Sequence, residues 1–193
     1  MFYNIFYLLY RPEYIALIVA LFAVLVSIIA IFVNVYISWR NRKYALAREE
    51  YFKLQQVVER IDAKLLVLEN HREKLKIFFE QSFKASKNQN SVFVDMNNTF
   101  NLNTFEENSE MIAALIDIYF NNMGDNWNFC LVKFNELLTL IFRLNKNIEY
   151  NTLINWEEEA RNFNKISLEL NNKPKEISDA LKNELKRFKE RNL

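Results

Sequence analysis

Glycine, proline, cysteine and histidine are nearly missing from this chain of 193 residues, which holds one Gly, two Pro, one Cys and one His. One glycine cannot build a phosphate-cradling loop or a dinucleotide-binding fingerprint, because both need several positions where backbone approaches phosphate closely. The lone histidine, His71, excludes an HExxH pair, and its neighbours Asn70, Arg72 and Glu73 predict an exposed or rim position rather than a metal ligand. Cys130 by itself rules out an internal disulfide framework and suits a reducing cytoplasm. On the apolar face of a helix it reads as a core thiol, not a nucleophile. The acidic run Glu157, Glu158 and Glu159 occupies successive helix positions that point different ways, so it favours a helix N-terminus rather than a cation. Neither an enzyme nor a cofactor or metal is expected, and the scarcity of turn residues predicts an all-α fold.

What the chain does have is one long run without charge. From Tyr14 to Trp39 no Asp, Glu, Lys or Arg occurs. At about 1.5 Å per residue a helix of that length covers the roughly 30 Å of a hydrocarbon core. The start MFYNIFYLLY lacks the basic region of a cleaved leader, so residues 14–39 are expected to be a retained transmembrane helix. Arg40, Arg42, Lys43 and Arg48 follow the run, while Arg11 beside Glu13 precedes it. The excess of basic residues faces the cytoplasm in single-pass proteins, which predicts the N-terminus outside and residues 40–193 inside, in a bacterial inner membrane. Tyr10, Tyr14, Tyr36 and Trp39 are expected to anchor at the two lipid–water interfaces, with Arg40, Arg42 and Lys43. Residues 1–13, with Phe2, Tyr3, Phe6, Tyr7 and Tyr10 at helical spacing, are read as an aromatic interfacial segment.

Within the span, Ala16, Ala20, Ala23, Ser27, Ala30 and Asn34 recur at spacings of 4, 3, 4, 3 and 4. One stripe therefore carries the small and polar residues, and Leu, Ile, Val and Phe carry the rest. Small residues let helices approach closely, and the Asn34 amide needs a partner in hydrocarbon. With one span per chain, that partner comes from another chain or from water in a pore. A homo-oligomer of three or more subunits, four among the candidates, is expected.

Beyond the span, apolar residues keep an alternating 3,4 frame through Tyr44, Ala47, Tyr51, Leu54, Val58, Ile61, Leu65, Leu68, Leu75 and Phe79, with Arg72 as the exception. The frame reads backwards into the span, so span and stalk (40–86) are expected to form one rod over about 13–86. Residues 87–104 are read as an Asn-rich loop, with a short hairpin around Asn97 and Asn98 as one option. Thr104 with Glu107 predicts a capping box opening a helix over 105–122, with Gly124 lying where a helix C-terminus would use it and Asp125 capping the next helix, 126–149. Asn155 predicts a start at 156, and Pro174 suits the first turn of a last helix to 191. Apolar stripes through Ile112, Leu115, Ile116 and Tyr119, through Trp127, Leu131, Phe134, Leu138 and Ile141, through Trp156, Ala160, Phe163 and Leu170, and through Ile177, Leu181, Leu185 and Phe188 predict a bundle of four to five helices.

Charge is uneven along the chain. Residues 39–87 carry twelve Lys or Arg against seven Asp or Glu, residues 88–170 five against twelve, and residues 171–193 seven against four. Mutual neutralisation inside the bundle is the expected use of this pattern. Two basic sets could hold an anionic ligand instead: Lys175, Lys182, Lys186 and Lys189 on the last helix, and Lys133, Arg143 and Lys146 on a helix that also carries Trp127 and Phe134. No duplex nucleic acid is expected as a partner.

In layout, through the span at 14–39, the small-residue stripe and the basic exit, the chain resembles the small single-pass membrane effectors of bacterial antiphage systems. The resemblance implies a helical cytoplasmic domain that receives a signal, often a nucleotide messenger, and a membrane segment that permeabilises the bilayer. It assigns no ligand residues. The function expected is an oligomeric effector or ion channel of this kind; the competing class is a membrane-tethered helical scaffold that docks a protein partner.

Overall fold

The computed structural model describes residues 12–87, 101–150 and 152–193. The fold is all-α, with no strand among the described residues. Helix α1 spans Pro12–Lys87, α2 Leu102–Tyr119, α3 Gly124–Glu149 after a 3-10 turn at Asn121–Met123, α4 Trp156–Leu170 and α5 Lys173–Asn192. The expected rod is thus one helix of 76 residues. Residues 1–11 of the aromatic interfacial segment, Tyr10 included, and the hairpin around Asn97 and Asn98 lie outside the described residues, while the segment's last two residues, Pro12 and Glu13, belong to α1.

Two units divide the chain, Met1–Glu50 with Asn192–Leu193, and Tyr51–Arg191. In the first, every residue of α1 from Tyr14 to Leu46 is exposed, including Phe22 and Phe32 at 68% and 71%. This segment makes α1 a helix long and apolar enough to cross a membrane, and none of its apolar window is buried.

The second unit is a bundle with a continuous core. Val57, Val58, Ile61, Leu65, Leu68, Leu75, Phe78 and Phe79 of α1 are buried, as are Phe134, Leu137, Ile141 and Leu144 of α3. Phe163 of α4 stacks on Phe79 with ring centroids 4.2 Å apart, and Trp156 meets Phe79 and Phe83 edge-on. The ion pair between Lys182 and Asp62 joins α5 to α1, and that between Arg143 and Glu159 joins α3 to α4. The expected α1 frame from Val58 to Phe79 is therefore covered by the chain's own helices.

Several boundaries and environments differ from expectation, each for a local reason. Helix α2 opens at Leu102 rather than 105, because the Asn101 Oδ1, not Thr104, caps it by accepting from the Thr104 backbone N–H at 3.1 Å. The predicted loop 87–104 thus yields its last three residues to α2. The earlier start buries Phe105, Asn108 and Ser109 with Ile112 and Ile116, and leaves Tyr119 exposed. Asn108 and Ser109 tolerate burial because their side chains donate to the Thr104 and Glu106 carbonyls, 2.7 and 2.9 Å away. Gly124 does not end a helix: Phe120 does, and the chain re-enters α-helix at Gly124 with φ −54° and ψ −43°. Asp125 accordingly lies inside the first turn of α3 and is not its cap. His71 is buried, not at the rim, with its ring edge-on to Phe105 at 6.4 Å between centroids. Asn155 caps α4 as predicted, and Pro174 sits in the first turn of α5.

Candidate functional site

Two regions hold the residues singled out by sequence, and each is described by itself. In the first unit, the helix places Ala16, Ala20, Ala23, Ser27, Ala30 and Asn34 in exposed positions along α1. Ser27 donates its hydroxyl to the Ala23 carbonyl at 2.8 Å, a bond within the helix that satisfies the donor without a second chain. All backbone groups of such a segment are paired internally, which is what a helix in hydrocarbon requires.

Around Trp39 the character changes within one turn. Tyr36 and Trp39 form a tilted ring pair at 6.4 Å. The Lys43 Nζ lies 5.8 Å from the centre of the Trp39 ring, and the Arg40 guanidinium 5.5 Å from that of Tyr44, to whose hydroxyl it also donates at 3.5 Å. Cations near aromatic faces are held at a defined position along the helix rather than sweeping freely. Tyr14, Tyr36, Trp39, Arg40, Arg42 and Lys43 are all exposed.

In the bundle, the two basic sets are dispersed rather than gathered. Lys133 of α3 pairs with Glu136 at 2.8 Å and with Glu169 of α4 at 2.9 Å, and Arg143 pairs with Glu159 of α4. Lys146 is exposed in the last turn of α3. On α5, Lys182 pairs with Asp62 at 2.8 Å, Lys186 lies 4.0 Å from Glu190, and the Lys189 Nζ lies over the Tyr51 ring at 5.8 Å, whereas Lys175 is exposed. Trp127 and Phe134, which could have stacked on a nucleotide base, are core residues at 1% and 0% exposure.

Arg72 is the position that sequence reasoning passed over as a mere exception to the heptad frame. Its guanidinium donates to the Leu170 and Asn171 carbonyls at the C-terminal end of α4, at 3.4 and 3.1 Å, and pairs with Glu73 at 3.0 Å. A cation there satisfies acceptors that the helix end leaves open and complements its dipole. The break in the frame was the available signal.

The two titratable candidates of the core, Cys130 and His71, are both buried, and burial shifts each. Burial pushes the Cys130 thiol up to about 12, so the thiolate that would act as nucleophile is scarce at neutral pH. Burial lowers the His71 pKa, with Lys74 acting in the same direction. Among the described residues no group of three or more His, Cys, Asp or Glu could hold a metal ion. No protein-family model matches the chain, no curated protein matches it in sequence and no solved structure matches its fold.

Proposed function

We propose that the protein is an oligomeric single-pass membrane effector or ion channel, in which the bundle of α1–α5 senses a signal on the cytoplasmic side and the helix of residues 14–39 gates or perturbs the bilayer. The observation that carries this reading is the full exposure of an uncharged helical stretch, Tyr14 to Trp39, whose small and polar residues share one stripe. Exposed Leu, Ile, Val and Phe on this scale demand an apolar solvent, and a stripe of Ala, Ser and Asn favours close helix approach there. Antiphage defence is the setting suggested by the layout, with a nucleotide messenger as one candidate signal. For a ligand to drive such a device it must bind the open arrangement more tightly than the closed one, and several identical subunits multiply a modest preference per site.

Two substitutions test the reading. Asn34→Leu and Ala23→Leu are expected to abolish conductance or toxicity, and to lower the mass of the assembly in nanodiscs, while the bundle keeps its melting temperature. Full activity in both variants would sink it. The exposed Met111 and Ile118 on α2 favour a second reading, a tethered scaffold that docks a protein through the bundle. Exchanging residues 14–39 for an unrelated span separates the two, because a scaffold keeps working and a conduit fails.

A further inference from the structure

Five cations of the bundle and those at the end of the apolar stretch are satisfied in different ways. Lys133, Arg143, Lys173, Lys182 and Arg187 each meet a carboxylate within the chain, at separations up to 2.8 Å. Arg40, Arg42 and Lys43 meet none among the described residues. On a helix the side chains that can meet lie three and four positions away. For Arg40 these are Tyr36, Ile37, Lys43 and Tyr44; for Arg42, Ser38, Trp39, Ala45 and Leu46; for Lys43, Trp39, Arg40, Leu46 and Ala47. Not one is acidic. The contacts that do form are to aromatic rings, Lys43 over Trp39 and Arg40 over Tyr44, which fix the cations beside the last apolar turn without neutralising them.

We infer that Arg40 and Lys43, held over the Tyr44 and Trp39 rings, form with Arg42 a collar that binds the headgroups of net-negative phospholipids. The inference rests on the membrane-spanning reading of residues 14–39 and adds the chemical class of lipid. Three points on the helix argue for lipid. The collar is continuous with the uncharged exposed segment, so a bilayer that accepts that segment brings its headgroup layer to this height. The aromatic rings flanking the cations prefer that same layer. Three charges that meet no carboxylate among the described residues favour a surface of net anionic charge, which a zwitterionic surface does not supply.

The test is native mass spectrometry of the full chain released from detergent, with phosphatidylglycerol and phosphatidylcholine offered at equal concentration. Each basic residue near an anionic surface strengthens attraction roughly fivefold. Wild type is expected to retain phosphatidylglycerol at least about tenfold over phosphatidylcholine, and the variant Arg40→Gln/Arg42→Gln/Lys43→Gln close to equally, with unchanged helicity by circular dichroism. Equal retention by wild type, or an undiminished preference in the variant, overturns the collar. Displacement of the lipid by millimolar inorganic phosphate also overturns it, in favour of a soluble anion. A chain that stays in the aqueous phase without detergent defeats the membrane-spanning reading itself, which keeps the two failures apart.

Discussion

Residues 14–39 and residues 57–79 are two stretches of one helix, both rich in Leu, Ile, Val and Phe, with opposite surroundings. In the first the apolar side chains go all the way round and every one is exposed; in the second most of them keep to a stripe that the bundle buries, and Leu66 and Ile77 share the outside with Glu59, Arg60 and Lys74. The backbone is the same α-helix throughout. The distribution of apolar residues around the axis, and not their amount, distinguishes a helix that needs an apolar solvent from one that needs partner helices.

The comparison breaks most visibly at a phenylalanine in each region. Phe134 is fully buried, with the Phe105 ring of α2 at 5.6 Å between centroids. Phe134→Ala is expected to cost about 3–5 kcal/mol in chemical unfolding of the bundle, through lost apolar burial and the cavity left behind. Phe32→Ala removes the same atoms from a side chain that touches little of its own chain and is expected to leave the bundle's unfolding midpoint unchanged. If Phe32→Ala destabilised the bundle as Phe134→Ala does, the Phe32 side chain would not be the exposed one that α1 presents.

A smaller effect tests whether the second stretch is apolar by rule or by need. Arg72 interrupts the buried stripe between Leu68 and Leu75, and Arg72→Leu would complete it. The structure argues that the completed pattern is worse, because the Leu170 and Asn171 carbonyls would lose their charged donor. A loss of about 1–3 kcal/mol is expected in denaturant titration, the usual worth of a charged hydrogen bond at a partly buried site. A gain in stability on Arg72→Leu would mean that the helix-end contact contributes nothing and that the frame alone governs the position.

The same contrast explains what could be read from the sequence. Long periodic segments declared themselves: α1 runs where the heptads ran, and α4 and α5 begin at Asn155 and beside Pro174 as their start signals indicated. Misreadings cluster where several residues compete for one role. Asn101, Asn103 and Thr104 are all able to cap; Asn101 does so, and the first turn it opens carries Phe105, whose ring meets Phe134 and His71. Ser109 would have completed a 4,3,4 frame from Phe105 through Ile112 to Ile116, but a polar residue in that frame reads as surface until its local hydrogen bond is seen. Gly124 looked like a helix end because glycine so often is one, yet its backbone is right-handed and a Cβ there would meet nothing within 4 Å. The basic residues of the candidate sites were legible as charges; which of them meet carboxylates was not, because Lys182–Asp62 and Lys133–Glu169 join segments distant in sequence.

The smallest effect concerns His71, whose polar neighbours in sequence pointed outward while the fold turned it in. Burial disfavours its charged form and Lys74 adds to this, so the folded-state pKa lies below the usual histidine value of about 6.5. The unfolded chain therefore takes up the proton first. Stability from this group is complete above about pH 6.5 and is lost as pH falls through that value toward the lower folded pKa, because between the two the unfolded state binds more protons. Carboxylates titrate mainly nearer pH 4, which leaves the interval between about pH 7.5 and about pH 5.5 dominated by this histidine. Denaturant midpoints at those two pH values, for wild type and for His71→Phe, isolate its share: wild type is expected to lose more stability on acidification than the variant, which keeps a ring against Phe105 but cannot titrate. Equal losses would mean that His71 accepts a proton in place without disturbing the contact between α1 and α2, and that the interior of this bundle is more polar around residue 71 than its exposure implies.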